Sequence, residues 1–130
     1  MKKLYTSYYA RSGNHPDAIA ISAKAPQFYR GKFYSPLAPT WDLLRAYKSG
    51  EIDERGYTEW YLRLLIKDRK LTPEKVVDDL KDGSIMLCYE GPGKFCHRHI
   101  VAEWLETAGV TVTEITPETP QKPVDDLLQF

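Results

Sequence analysis

The chain has 130 residues, and its 18 Lys and Arg balance 18 Asp and Glu. That length suits one domain, which closes a core without disulfide or metal staples, and the balance excludes a global field favouring DNA or anionic membrane. No apolar run approaches the roughly 18–20 residues of a membrane span, and the start Met1-Lys2-Lys3 lacks the apolar stretch of a secretory leader.

Residues 3–9 are rich in aromatic and β-branched side chains and predict a first strand. Residues 10–14, with Ser12, Gly13 and Asn14, predict a loop. The short apolar run at 18–22 predicts a second strand, stopped before Pro26. Residues 27–39 are irregular and aromatic, because Pro36 and Pro39 forbid a long helix there. Thr40 caps a helix over 41–48, which Ser49-Gly50 stops. Asp53 caps the next, reaching about Asp68, with Tyr57, Trp60, Tyr61, Leu64 and Leu65 along one face. Thr72-Pro73 opens a third that runs to about Lys81.

Residues 85–89 form an apolar run with little alternation, as expected of a strand covered on both faces. A loop over 90–95 leads to a helix over 97–108, then to an alternating strand over 110–115. Strand, helix and strand within about 30 residues make a βαβ unit. The expected fold is α/β: a mainly parallel sheet with helices on both faces, a Rossmann-like three-layer sandwich in a single domain. Residues 116–130 read as a C-terminal tail, whose Leu127-Leu128-Gln129-Phe130 would dock on the domain or on a second copy.

In open α/β sheets ligands bind beyond the carboxyl ends of the strands, and the 90–95 loop lies at such an end. Gly91 and Gly93 let the backbone approach a ligand there. The helix start at Cys96-His97-Arg98 offers unpaired N–H groups beside a full positive charge, the physics of an anion site. His97 lies one turn before Ile100 and Val101 and projects inward, whereas His99 faces water. A thiol at a helix start beside His and Arg has a lowered pKa, so Cys96 is the candidate nucleophile, with Glu90 or His97 handling protons. The structural alternative makes Cys96 a half-buried cap and pairs Glu90 with Arg98 to hold the loop closed.

Cys88, inside the apolar strand, reads as core filler. Without a secretory context the two cysteines point to a reducing, cytoplasmic compartment, where a Cys88–Cys96 bond is expected only as a redox event. Cys88, Cys96, His97 and His99 have no recognised ligand spacing, so no metal is expected, and the sequence identifies no other cofactor. If the sheet is parallel, Ser7 and Arg11 after the first strand and Ser22 and Lys24 after the second open on the same edge, and they are further candidate ligand-binding residues.

The segment Cys88-Tyr89-Glu90 followed by Cys96-His97-Arg98 resembles the hallmark of the bacterial family called domain of unknown function 488. That resemblance implies a strand ending in Cys-x-Glu, a short loop, and Cys-His-Arg opening a helix. Many relatives carry Asp-Val-Arg before a Pro where this chain has Ile21-Ser22-Ala23-Lys24-Ala25-Pro26. Ser22 and Lys24 would replace that Asp and Arg only in part. The resemblance implies no established reaction.

Two functions remain open. One is an enzyme or binder of a small anionic molecule, such as a nucleotide or phosphorylated metabolite, held by Arg98 and the helix start. The other is an interaction module whose basic half contacts nucleic acid or an acidic protein. Residues 1–50 carry eight Lys and Arg against two Asp and Glu, and the aromatics Phe28–Tyr34 near Arg30 and Lys32 could stack a base. No membrane partner is expected, and the oligomer is a monomer or a homodimer.

Overall fold

The computed structural model describes residues 2–91 and 93–116, so the tail expected to dock through Leu127 to Phe130 lies outside the described residues. Strands β1 (Lys3–Tyr8), β2 (Ala18–Ala20), β3 (Lys32–Phe33), β4 (Ile85–Cys88) and β5 (Thr111–Glu114) form one sheet in the order β3-β2-β4-β1-β5. All four pairings are parallel, as the apolar run at 85–89 predicts.

Alternation along the strands sorts the core into two faces. Leu4, Ile21 and Met86 point to one side, where they meet Leu43, Tyr61, Val76, Val101 and Leu105. These come from α2 (Trp41–Lys48), α3 (Glu54–Arg63), α4 (Pro73–Asp79) and α5 (His97–Glu106). Ala18, Ala20, Ile85 and Leu87 point to the other side, against Tyr9 and Tyr29. The two helical layers are therefore unequal. One is built from α2 to α5, the other from the single turn α1 (Tyr9–Ser12) and the aromatic segment around Tyr29. Every residue of β4 is buried, since it lies between β2 and β1 with both faces covered.

The helix starts follow local chemistry. Thr40 accepts from the Leu43 N–H, Asp53 from Gly56 and Thr72 from Lys75, as their sequence positions predict. The helix expected to reach Asp68 changes character at Leu64. Residues Leu64–Asp68 form a π turn in which the Arg69 N–H reaches back to the Leu64 carbonyl. The Arg69 guanidinium then ties this end to the Pro36 and Ala38 carbonyls, at 2.7 and 2.6 Å.

Two short elements differ from expectation. Tyr9, read as the end of the first strand, and residues 10–12, read as loop, close one helical turn when Gly13 donates to Tyr9. Lys32 and Phe33, inside the irregular stretch, add an edge strand to β2. The topology also sets the site. From β1 the chain moves along the sheet to β2, whereas from β4 it moves the opposite way to β5, passing β1. Adjacent strands whose connections leave in opposite directions create a crevice at their carboxyl ends. Tyr8 and Cys88 are paired in register at that edge.

Candidate functional site

Cys88 ends β4 on the side facing α5, and Cys96 is the residue that precedes the first turn of α5. The seven-residue connection folds back so that the two sulfurs are bonded. Cys88 is buried, as a strand interior requires, but it is a partner in a disulfide rather than filler. The sequence expects this bond only as a redox event, and the structure pairs the two sulfurs.

His97 is buried, and its Nε2 lies 2.7 Å from the Ile21 carbonyl at the end of β2. A carbonyl only accepts, so Nε2 carries the proton and Nδ1 keeps its lone pair. That lone pair lies 3.8 Å from Cys96 Sγ. Burial pushes the imidazole down to about 4, the Ile21 bond opposes this, and the Arg98 charge adds to the fall. The ring is neutral at physiological pH.

Arg98 is completely buried, and all five of its N–H donors are engaged. Nε donates to Glu114 Oε1 at 3.1 Å and Nη2 to Oε2 at 2.9 Å, a bidentate pair with the end of β5. The remaining donors reach Cys88 Sγ at 3.4 Å, the Glu90 carbonyl at 2.6 Å and the Gly91 carbonyl at 3.3 Å. Glu114 also accepts from the Thr6 hydroxyl at 2.5 Å, which joins β1 to the network. The loop is thus held closed by Arg98, but through the Glu90 carbonyl. The carboxylate partner is Glu114, because β5 ends beside β1 on the face that α5 covers.

Other predicted residues divide. Ser7 and Ser22 are buried and already bonded, Ser7 to Ser12 at 2.7 Å and Ser22 to the Tyr9 hydroxyl at 2.6 Å. Burial raises the Tyr9 hydroxyl to about 12, partly offset by Ser22. Ser22 in turn donates to the Lys24 carbonyl. Arg11, Lys24 and the Glu90 side chain are exposed. His99 is partly buried on α5. Among the aromatics, Tyr29 is interior while Phe28 and Phe33 are exposed, and edge contacts link Phe33, Tyr29, Tyr9 and Tyr89.

A family model described as the active DUF488-N3 subclade (DUF488-N3a) matches residues 15–109, well over half of the chain. The chain belongs to this family. Comparisons with curated proteins and with solved structures found no match. The range matched to DUF488-N3 contains Cys88, Glu90, Cys96, His97 and Arg98, while β1 and β5 lie outside it. Glu114, which fixes Arg98, therefore lies beyond the matched segment, and sequence reasoning missed it. Its signal was present: Glu114 shares a face with the half-buried Val112 in an alternating strand, an inward position for a charge.

The network around Cys88 makes a prediction for this DUF488-N3 protein. Closing a loop of eight residues stabilises a fold by about 2.5 kcal/mol through chain entropy alone. When the bond is reduced, the Arg98 N–H already 3.4 Å from Cys88 Sγ would give a thiolate there a charge-assisted bond, worth about 1.5–3 kcal/mol. Reduction is therefore expected to cost about 1 kcal/mol or less, read as the shift in urea midpoint with and without a dithiol. A loss of 2.5 kcal/mol or more would show that Arg98 does nothing for the thiolate.

Proposed function

We propose that the β4–α5 switch is a thiol–disulfide exchange centre acting on a small anionic molecule that carries a reactive sulfur. The observation that carries this reading is the different partner on each sulfur: Arg98 on Cys88, and the His97 lone pair on Cys96. Cys96 keeps 7 % exposure against 1 % for Cys88, so an incoming sulfur meets Cys96 first. In the dithiol form the Cys96 S–H faces His97 Nδ1, which accepts its proton as Cys96 attacks a substrate disulfide. A mixed disulfide forms and one substrate thiolate leaves. The Cys88 thiolate, held by Arg98, then attacks Cys96 Sγ and expels the second. The protein loses two electrons and becomes the disulfide; the substrate gains them and leaves as two thiolates, one taking the proton from His97 and the other a proton from solvent.

Anionic substrates are favoured by exposed Lys94 on the loop, by exposed Arg11 and Lys24, and by the start of α5. Arg98, with its donors engaged, positions and stabilises Cys88 and is not itself the anion ligand. Glu90 serves through its carbonyl.

The test follows exchange of the reduced protein with an anionic and a cationic alkyl disulfide of equal size. The anionic probe should react faster and release two thiols per chain. Cys88→Ser should release one and retain an adduct on Cys96. If Cys88 is the sulfur modified first, or if neither thiol reacts until the chain unfolds, the centre is structural. The interaction-module alternative keeps its support in exposed Phe28 and Phe33 beside Arg30 and Lys32, and steeply salt-dependent binding of single-stranded nucleic acid is its signature.

A further inference from the structure

The dithiol state of the same centre has a second property. Cys88, Cys96 and His97 are all buried, and one ligand atom from each lies within 4.8 Å of the others. The sequence spacing, adjacent Cys-His with a Cys eight residues upstream, predicts no site. The fold assembles one by bringing the end of β4 against the start of α5.

We infer that the reduced protein binds one zinc-type divalent cation through Cys88 Sγ, Cys96 Sγ and His97 Nδ1. Three observations support this. First, thiolate sulfur and imidazole nitrogen are the donors zinc prefers, and its bond lengths place tetrahedral ligands about 3.5–3.8 Å apart. The Cys96 Sγ to His97 Nδ1 distance is already 3.8 Å. Second, the ring's outer N–H donates to the Ile21 carbonyl at 2.7 Å, the backing that metal-bound histidines use to fix tautomer and orientation. Third, Arg98 places an N–H 3.4 Å from Cys88 Sγ, where it supports a metal-bound thiolate, and its own charge is balanced by Glu114.

Charge is balanced as well. The cation takes both sulfurs as thiolates, displacing the Cys96 proton to solvent, and with a neutral imidazole the cluster is neutral. Among the described residues no further His, Cys, Asp or Glu joins the group. Three protein ligands leave one position of a tetrahedron for solvent or a small molecule, the arrangement of catalytic rather than structural zinc.

The disulfide and the metal-bound state exclude each other. A small disulfide that withdraws two electrons from the bound thiolates closes the Cys88–Cys96 bond and releases the cation. The inference rests on the reading above only in requiring that both sulfurs be reducible.

The experiment uses the full chain refolded in a phosphine reductant without oxygen, so both thiols are free however fast exchange is. Cobalt(II) is the probe. One equivalent should give thiolate-to-cobalt charge transfer and the visible bands of a four-coordinate site, and one equivalent of zinc should bleach them. The disulfide form should give neither. His97→Gln, which keeps an N–H for Ile21, should weaken binding at least tenfold, and zinc should protect both thiols of the wild type from alkylation. Absence of these bands in protein whose two thiols alkylate freely would overturn the inference, as would equal binding by the disulfide form. Rapid disulfide exchange without cobalt binding would sink the metal site alone; cobalt binding without exchange would sink the exchange reading alone.

Discussion

Replacing Arg98 by Met is expected to destabilise the fold by about 3–5 kcal/mol, because it leaves buried polar groups without their partner. The guanidinium is fully buried and holds β4, the following loop and β5 through five N–H bonds. Met fills a similar volume but leaves the Glu90 and Gly91 carbonyls and the Glu114 carboxylate to find other donors. Glu114 keeps 23 % side-chain exposure, so water repays part of its loss and the lower end of the range is expected. Arg98→Lys should recover little, since an ammonium has three donors and cannot span the sulfur, two carbonyls and a carboxylate in one plane. A double-mutant cycle with Glu114→Gln should give a coupling of about 1–3 kcal/mol. Urea unfolding measures both quantities. A loss under about 1 kcal/mol for Arg98→Met would mean that the network is solvated in solution.

The second large effect is in pH. His97 is neutral in the fold, its pKa held down to about 4 chiefly by burial. In the unfolded chain it titrates near its ordinary value of about 6.5. Between these values the unfolded chain binds a proton that the native protein does not. Stability is thus unaffected above about pH 6.5, falls as pH drops through that value, and levels off below about pH 4. The full loss is about 3 kcal/mol, with a slope near 1.4 kcal/mol per pH unit through the middle of the window. The pH 5–6.5 interval is diagnostic because most carboxylates remain ionised there. In the disulfide form, His97→Gln should remove this slope while keeping a donor for Ile21. Parallel profiles for the two proteins would show that His97 is protonated, or exposed, in the native state.

Much of the fold was legible because its signals are local. Thr40, Asp53 and Thr72 mark helix starts through bonds three residues away, and the unbroken apolar run Ile85–Cys88 marks a strand covered on both faces. Short elements were not legible. The turn at Tyr9–Ser12 is hidden by the Gly and Asn that follow it, and Lys32–Phe33 is a strand only because β2 lies beside it.

The candidate residues at the end of β4 and the start of α5 do come together in the fold, but their internal roles depend on distant partners. The tautomer of His97 is set by Ile21, 76 residues away, and the burial of Arg98 by Glu114 on a strand the helix must first reach. A charged residue at a helix start reads as an anion ligand; only the fold shows all five donors turned inward. The sequence separation of Cys88 and Cys96 is likewise silent on whether a loop folds back on itself.

If the Cys88–Cys96 bond is a working couple and not a staple, its reduction potential will show it. The protein would be equilibrated in glutathione buffers of graded ratio, quenched by alkylation, and the two forms counted by mass. With Arg98 stabilising the Cys88 thiolate, the midpoint should lie above about −250 mV, in the range of exchange catalysts. A midpoint below about −300 mV, where structural disulfides resist the glutathione pool, would contradict the account.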